Sequence, residues 1–341
     1  MSAVQTPVGS AEEPVVTSPL RRALGLFANQ QFILLLVLVA VMVYFDVHNS
    51  RFFSVAEFQN LIVDLSAAAL VAVAELFVIV SGGIDLSVGS TIAVSGVIGA
   101  QAIVHLQSHH FGELPSLLVG MIVCTGVGGA VGAVNAVLIT KANLVPFVAT
   151  LVTLSAGAGL ALFFSQGAQI GYDPVAATWS STGFWIFTWQ ALIVLVIVGV
   201  LGLVLHFTSY GRYNYAIGSN PFAARAAGIN VNRHVASVYV MSGMLAGLTG
   251  MFFYIRIGGG APQTGIGTEL EAIAAVVIGG ASLVGGVGLI SGTILGVAIL
   301  TVVTDGLVFI NVSTYWNQVV VAGFIAVAAI LQTVSPGTRK R

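Results

Sequence analysis

Residues 58–80 read FQNLIVDLSAAALVAVAELFVIV. A helix needs roughly 20 apolar residues to cross the hydrocarbon of a bilayer, and this stretch supplies them with only Asp64 and Glu75 as ionisable interruptions. Working outward, comparable runs recur at 32–47, 87–105, 116–139, 146–164, 189–207, 235–255, 269–284, 288–304 and 316–334. Together they predict an all-α integral membrane protein of about ten transmembrane helices. The glycine-rich pair from 269 to 304 carries a second reading, because GGASLVGG between its members also suits a loop dipping into the membrane.

Composition agrees. The chain has 341 residues, of which 57% are hydrophobic and 7% charged, against roughly a quarter charged in a soluble domain. A net charge of −1 leaves no basic stripe to neutralise phosphates, which excludes a nucleic-acid partner. Cys124 is the single cysteine, so no internal disulfide forms, and its apolar neighbours mark it as a small core residue. The polar leader carries Glu12, Glu13, Arg21 and Arg22. It is too long for an ordinary secretory signal and has no small-residue cleavage site, so 32–47 reads as a retained anchor. The organisation is then a cytoplasmic leader at 1–31, one transmembrane domain at 32–334 and a cytoplasmic tail at 335–341.

Ten spans put both termini on one side, and the positive-inside bias tests that arrangement. With cytoplasmic termini, Arg21, Arg22, Lys141, Arg212, Arg225, Arg233, Arg339, Lys340 and Arg341 are inside, and only Arg51 and Arg256 fall outside. Small residues such as GVGGAVGAVNA at 126–136 read as close helix contacts, since lipid offers no hydrophobic drive between helices. They lack the preceding strand of a dinucleotide-binding loop.

Chemistry on the chain is sparse. No G-x-x-x-x-G-K-[ST] loop is present, and Lys141 and Lys340 are the only lysines. Any ATPase is therefore a separate chain, and no cofactor is expected on this one. His105, His109 and His110 fall at a predicted outer turn, where a solvated turn is preferred over a metal site.

The longest inner loop, 209–234, contains a helix signal of its own. Asn220 suits the N-cap, Pro221 the first helical position, Arg225 the negative end and Gly228 the left-handed stop. Phe222 and Ala226, four apart, form an apolar knob. About two turns of helix are marginal alone in water. The loop either folds back on its own membrane domain or docks on a cytosolic partner.

Asp64 and Glu75 are eleven apart, almost three full turns, so they share a face with Ala68 and Val71. An ionised carboxylate at the bilayer centre costs on the order of 3 kcal/mol, so this face is expected to line a polar interior, with Glu75 in the pathway or a gate in preference to a plain interhelical hydrogen bond. Asp85, after Gly82 and Gly83, is expected to cap the next helix. Thr268 and Glu271 form a capping-box pattern, which leaves Glu269 unexplained by capping.

SGGIDLSVGS at 81–90, VPFVATL at 145–151, GSNPFAARAAGINV at 218–231 and ELEAIAAVVIGGASLVGGVG at 269–288 together resemble the permeases of ribose-type ABC importers. The resemblance runs from about residue 50 onward; Glu75 is a departure, standing where relatives usually have a small or sulfur-containing residue. It implies a multi-pass protein of the bacterial inner membrane that pairs with a second copy or a homologous permease. It also implies two cytosolic ATPase subunits, carrying ATP and Mg, and an extracytoplasmic solute-binding protein. The cargo is then a monosaccharide such as ribose or xylose, or, within the family, a nucleoside or furanosyl signal molecule. The 218–229 segment is similar to the coupling helix, which assigns Gly218, Asn220, Ala223, Ala224, Arg225 and Gly228 to ATPase coupling, with Phe222 added from the apolar knob. Path or gate residues are Asp64, Glu75, Asp85, Ser87, Phe147 and Glu269. Arg51 and Arg256, the outward cations, suit carboxylates on an incoming binding protein, or alternatively headgroup anchoring. The rival from another class is an ion-coupled secondary carrier or channel, which intramembrane carboxylates would also suit.

Overall fold

The computed structural model describes residues 30–171, 173–313 and 315–334. The leader through residue 29, with its Glu12, Glu13, Arg21 and Arg22, and the tail from 335 lie outside the described residues. The first five helices are α1 (Gln30–His48), α2 (Val55–Val80), α3 (Val88–Ser108), α4 (Glu113–Thr140) and α5 (Pro146–Ser165). A short α6 (Pro174–Trp179) and a small hairpin of β1 (Gly183–Phe184) and β2 (Phe187–Thr188) lead to α7 (Trp189–Phe207). The hairpin pairs Gly183 with Thr188 and Phe184 with Phe187. Then come α8 (Ser209–Ser219), α9 (Pro221–Ala226), α10 (Val231–Ile257), α11 (Thr268–Ile278), α12 (Ile290–Phe309) and α13 (Trp316–Val334). Among the described residues, α1 to α5, α7, α10 and α12 are long and apolar enough to cross a membrane.

Helix ends follow local chemistry. Ser54 accepts from Glu57 N to open α2, and Thr188 accepts from Ala191 N to open α7. Pro146 occupies the first turn of α5, where a missing N–H costs nothing. The expected span at 269–284 is corrected: α11 has 11 residues, about 16 Å at 1.5 Å per residue, and the chain then turns. Gly280, Gly285 and Gly286 all adopt positive φ there, at 94°, 96° and 75°, a backbone that glycine takes without a Cβ clash. The Thr268–Glu271 capping box does not form either. Gly267 is the N-cap, with φ 91°, and Thr268 Oγ1 donates to Gly265 O instead.

α2 is the centre of the bundle. Every residue from Ala69 to Val80 is buried, and α7, α10, α11 and α12 pack around it. By contrast α1 buries only Phe45, and α4, α5 and α7 expose Ile122, Phe163, Leu195 and Val196 to the surroundings, as a lipid-facing shell requires. Two of the 126–136 glycines pack helix backbones: a Cβ on Gly128 would run into Gly243 O and Gly247 of α10, and one on Gly132 into Tyr239 O and Val240, whereas one on Gly129 would meet only the Met244 side chain and one on Gly126 nothing within 4 Å. Such backbone approach supplies van der Waals contact where lipid supplies no hydrophobic drive. Cys124, in the same helix, is fully buried, with Sγ donating to Ser95 O at 3.2 Å.

α2 and α11 end alike. Gly82 N donates to Ile79 O and Gly83 N to Val78 O; Gly280 N donates to Val277 O and Ala281 N to Val276 O. This is one Schellman-type stop repeated, with the second of each pair of N–H groups reaching five residues back. It aligns Gly82 (φ 86°) with Gly280 (φ 94°), so Gly82–Gly83 matches Gly280–Ala281.

Candidate functional site

Three constructions surround α2. The first is a cavity of about 160 Å³ between α2, α10, α11 and α12. Its polar wall is Asp64, Thr268, Glu271, Thr301, Thr304 and Asp305, set among Ala68, Val71, Phe253 and Val297. At its rim Arg256 Nη2 forms an ion pair with Asp64 Oδ2 at 3.1 Å, and Nη1 donates to Asn60 Oδ1 at 3.2 Å. The guanidinium assigned to docking is therefore turned inward onto α2. Arg51, after α1, is exposed.

The second is a buried polar network at the far end of α2. Glu75, with no exposed surface, accepts from Asp85 N at 3.1 Å through Oε1, while Oε2 has no partner among the described residues. Asp85 Oδ1 accepts from Ser87 N (3.0 Å) and Ser87 Oγ (2.6 Å), and Oδ2 from Ser242 Oγ of α10 (2.9 Å). Ser87 Oγ in turn accepts from Asn135 Nδ2 of α4 (2.8 Å), whose Oδ1 accepts from Thr153 Oγ1 of α5 (2.6 Å). Asp85 thus folds the entry to α3 through Ser87 instead of capping amides inside the helix. A Cβ on Gly83 would meet the Tyr239 hydroxyl, so α10 closes this corner.

The third joins α2 to α8 and α9. The last carbonyls of a helix have no intrahelical partner, and here other segments take them. Asn214 Nδ2 donates to Phe77 O at 2.9 Å, and Gly286 N to Val80 O at 2.9 Å. Gly218 lies so close that a Cβ would strike Val80 O and Gly286 N. Tyr215 Oη donates to Gly288 O at 2.7 Å; burial pushes its phenol above the ordinary value, so it remains a donor. His234 Nε2 bonds Asn214 Oδ1 at 3.1 Å, which ties α10 to the same point.

α9 itself is built as its residues dictate. Asn220 Oδ1 accepts from Phe222 N and Ala223 N, both at 3.0 Å, and Pro221 opens the helix. Gly228 (φ 85°) closes it, with Gly228 N donating to Arg225 O and Ile229 N to Ala224 O. Ala224 is buried against Ile217 and Val231, whereas Phe222 is 78% exposed. Arg225 lies 5.9 Å from the Phe222 ring centroid. One face docks on the membrane domain and the other stands free of it.

The model for branched-chain amino acid transport system / permease components matches residues 58–329. The ribose import permease of Haemophilus influenzae is 34% identical over 92% of this chain and 95% of its own length. That of Escherichia coli K12 is 35% identical over 90% of this chain and 94% of its own. The chain belongs to the ribose-type sugar permeases of ABC importers. The galactose/methyl galactoside import permease of Salmonella typhimurium is 30% identical over 91% of this chain and 95% of its own length. The permease is a multi-pass membrane protein and a transport subunit.

Within this permease, the residues expected in the path separate. Asp64 lines the cavity; Glu75, Asp85 and Ser87 form the network; neither group includes Phe147 or Glu269. Phe147 is half-exposed in the first turn of α5. The Glu269 carboxylate lies against Gly89, where a Cβ would displace it. Asp305, Asn135 and Asn214 were not anticipated. Asp305 carried a signal, an acidic residue beside an apolar run, and so did Asn135, an amide inside one; Asn214 carried none, since it lies among other polar residues in the 209–234 loop.

Proposed function

We propose that this chain is the permease of an inner-membrane importer that moves a monosaccharide, delivered by a solute-binding protein, by alternating access driven by a separate pair of ATPase subunits. The observation that carries the reading is α9: a capped two-turn helix that buries Ala224 on its own domain and leaves Phe222 and Arg225 free. A free aromatic beside an exposed cation suits a groove on a protein partner. Gly218, Asn220, Ala223 and Gly228 set its placement and length. The α9 end then faces the cytosol, in keeping with Lys141, Arg212, Arg225 and Arg233 all lying in or beside the connections at that end, and residues 32–334 act as one transmembrane unit. Glu75, Asp85 and Ser87 form a gate-bearing hinge at the end of α2, and Asp64 belongs to the path. Arg51 and the partly exposed Arg256 are the binding-protein contacts. A second permease copy completes the assembly.

The test is reconstitution of the permease with its ATPase and binding protein in proteoliposomes. Phe222→Asp or Arg225→Glu is expected to abolish ATP-driven uptake, through loss of assembly or of coupling. Normal uptake in both variants removes α9 from the mechanism. Uptake by the purified chain alone under an ion gradient, without ATP, would establish the secondary carrier instead.

A further inference from the structure

The cavity beside α2 is rich in acceptors and short of donors. Among the described residues, Asp64 receives only Arg256, and none donates to the carboxylates of Glu271 or Asp305. Thr268 and Thr304 direct their hydroxyl hydrogens to backbone carbonyls, Gly265 O for the one and Leu300 O or Thr301 O for the other, which leaves lone pairs for the cavity. An occupant must therefore bring the donors. Its volume of about 160 Å³ holds about ten water-sized occupants at roughly 15 Å³ each, the scale of a small organic molecule rather than a bare ion. Phe253 and the alanines of α2 and α11 supply an apolar wall against which the C–H face of a ring can lie. Among the described residues the cation at the rim beside these three carboxylates, Arg256, is already paired with Asp64, so an anionic occupant finds no free partner charge.

We propose that this cavity, walled by Asp64, Glu271, Thr301, Thr304 and Asp305, is a station that holds a neutral polyhydroxylated substrate in transit and rejects phosphorylated or acidic sugars. The proposal rests on the importer reading above. It differs from delivery through an unselective passage in placing part of the specificity on the permease itself. Each substrate hydroxyl donates to a carboxylate or threonine oxygen, and an anion, which brings acceptors to a wall of acceptors, is disfavoured.

Occupancy is read by thiol protection in the complete importer, in a Cys124→Ala background so that the added thiol is the only one on the permease. Thr304→Cys is expected to react with N-ethylmaleimide, several-fold more slowly when D-ribose or D-galactose saturates uptake. Ribose 5-phosphate is expected to leave the rate unchanged, and Asp305→Asn to remove the sugar's protection. Thr301→Cys repeats the measurement if Thr304→Cys does not assemble. ATP-driven uptake that continues while both thiols ignore the sugars, or fail to react at all, overturns the station and leaves the importer standing. Protection by choline in place of sugar reassigns the cavity to cations and also overturns it. Absence of any ATP-driven sugar uptake in the unsubstituted complex overturns the importer reading and the station with it.

Discussion

Asn135 joins the start of α3 to α5, donating to Ser87 Oγ and accepting from Thr153 Oγ1 with little room to spare in a fully buried site. Its truncation removes two buried side-chain hydrogen bonds, each worth about 0.5–1.5 kcal/mol, although Ser87 keeps Asp85 and Thr153 keeps the Ala149 and Thr150 carbonyls. Asn135→Ala is therefore expected to lower the thermal midpoint of the detergent-solubilised permease, measured by fluorescence or circular dichroism; an unchanged midpoint would mean that the network is not stabilising. Glu75 gives a second residue-scale prediction. Glu75→Gln keeps an oxygen for Asp85 N, whereas Glu75→Leu removes the acceptor and leaves a buried amide unpaired. Uptake per copy in the membrane is expected to fall further for leucine, and equal rates for the two variants would take the Asp85 contact out of the mechanism. Sequence made Asp64 and Glu75 visible because ionisable groups are rare in spans, and it placed them rightly on one face of α2. It could not show that the cavity stops near Ala72 while Glu75 serves a separate network. Asp305 was missed because apolarity alone ended the span at 304, while the helix continues to Phe309.

At the scale of elements, α9 was the most legible part of the chain, since each end is fixed by a residue type with one local reason to be there. Asn220→Ala removes the acceptor for two amides, a loss of about 0.5–2 kcal/mol, which is large for a helix of 6 residues. Weaker capture of the ATPase is expected, with a raised dissociation constant in a pull-down or calorimetric titration. Unchanged affinity would mean that the partner rebuilds the helix for itself. The α4–α10 contact makes the opposite demand, a place where nothing can be added. Gly132→Leu is expected to force α4 from the Tyr239–Val240 backbone, beyond the roughly 1–3 kcal/mol of ordinary overpacking, and to reduce folded permease recovered by size-exclusion chromatography. Wild-type recovery would show that the helices have room to separate. The glycine-rich segment after α11 was harder to read. A glycine that packs helices and a glycine that turns the chain look the same in sequence, and only positive φ at 280, 285 and 286 distinguishes them.

At the scale of the molecule, the order of the helices and the bias of basic residues were readable, because both depend on composition alone. That α2 is central was not, since its hydropathy resembles that of its neighbours; position in a bundle depends on which faces find partners. The consequence for mechanism is that a single helix carries the cavity along one part of its length, the buried network further along, and the anchorage for α8 at its end. In the importer proposed above, motion of α9 would reach α2 through few contacts: Gly218 against Val80 O and Asn214 on Phe77 O, with Gly286 N of the segment after α11 on Val80 O beside them. Of these, Asn214 is the contact a substitution can remove directly, because leucine branches at the same carbon, though it is bulkier, and Phe77 O retains its bond from Ser81 N. Asn214→Leu also deprives His234 of its partner, loosening α8 from α10 as well as from α2. If these contacts transmit the stroke, the assembled complex continues to hydrolyse ATP while uptake falls about tenfold, equivalent to roughly 1.4 kcal/mol of lost coupling. The measurement is the ratio of sugar imported to phosphate released in proteoliposomes. A ratio equal to that of the unsubstituted importer would show that force reaches the cavity by another route, through the α10 and α11 walls, and that the junction at Phe77 only holds the fold together.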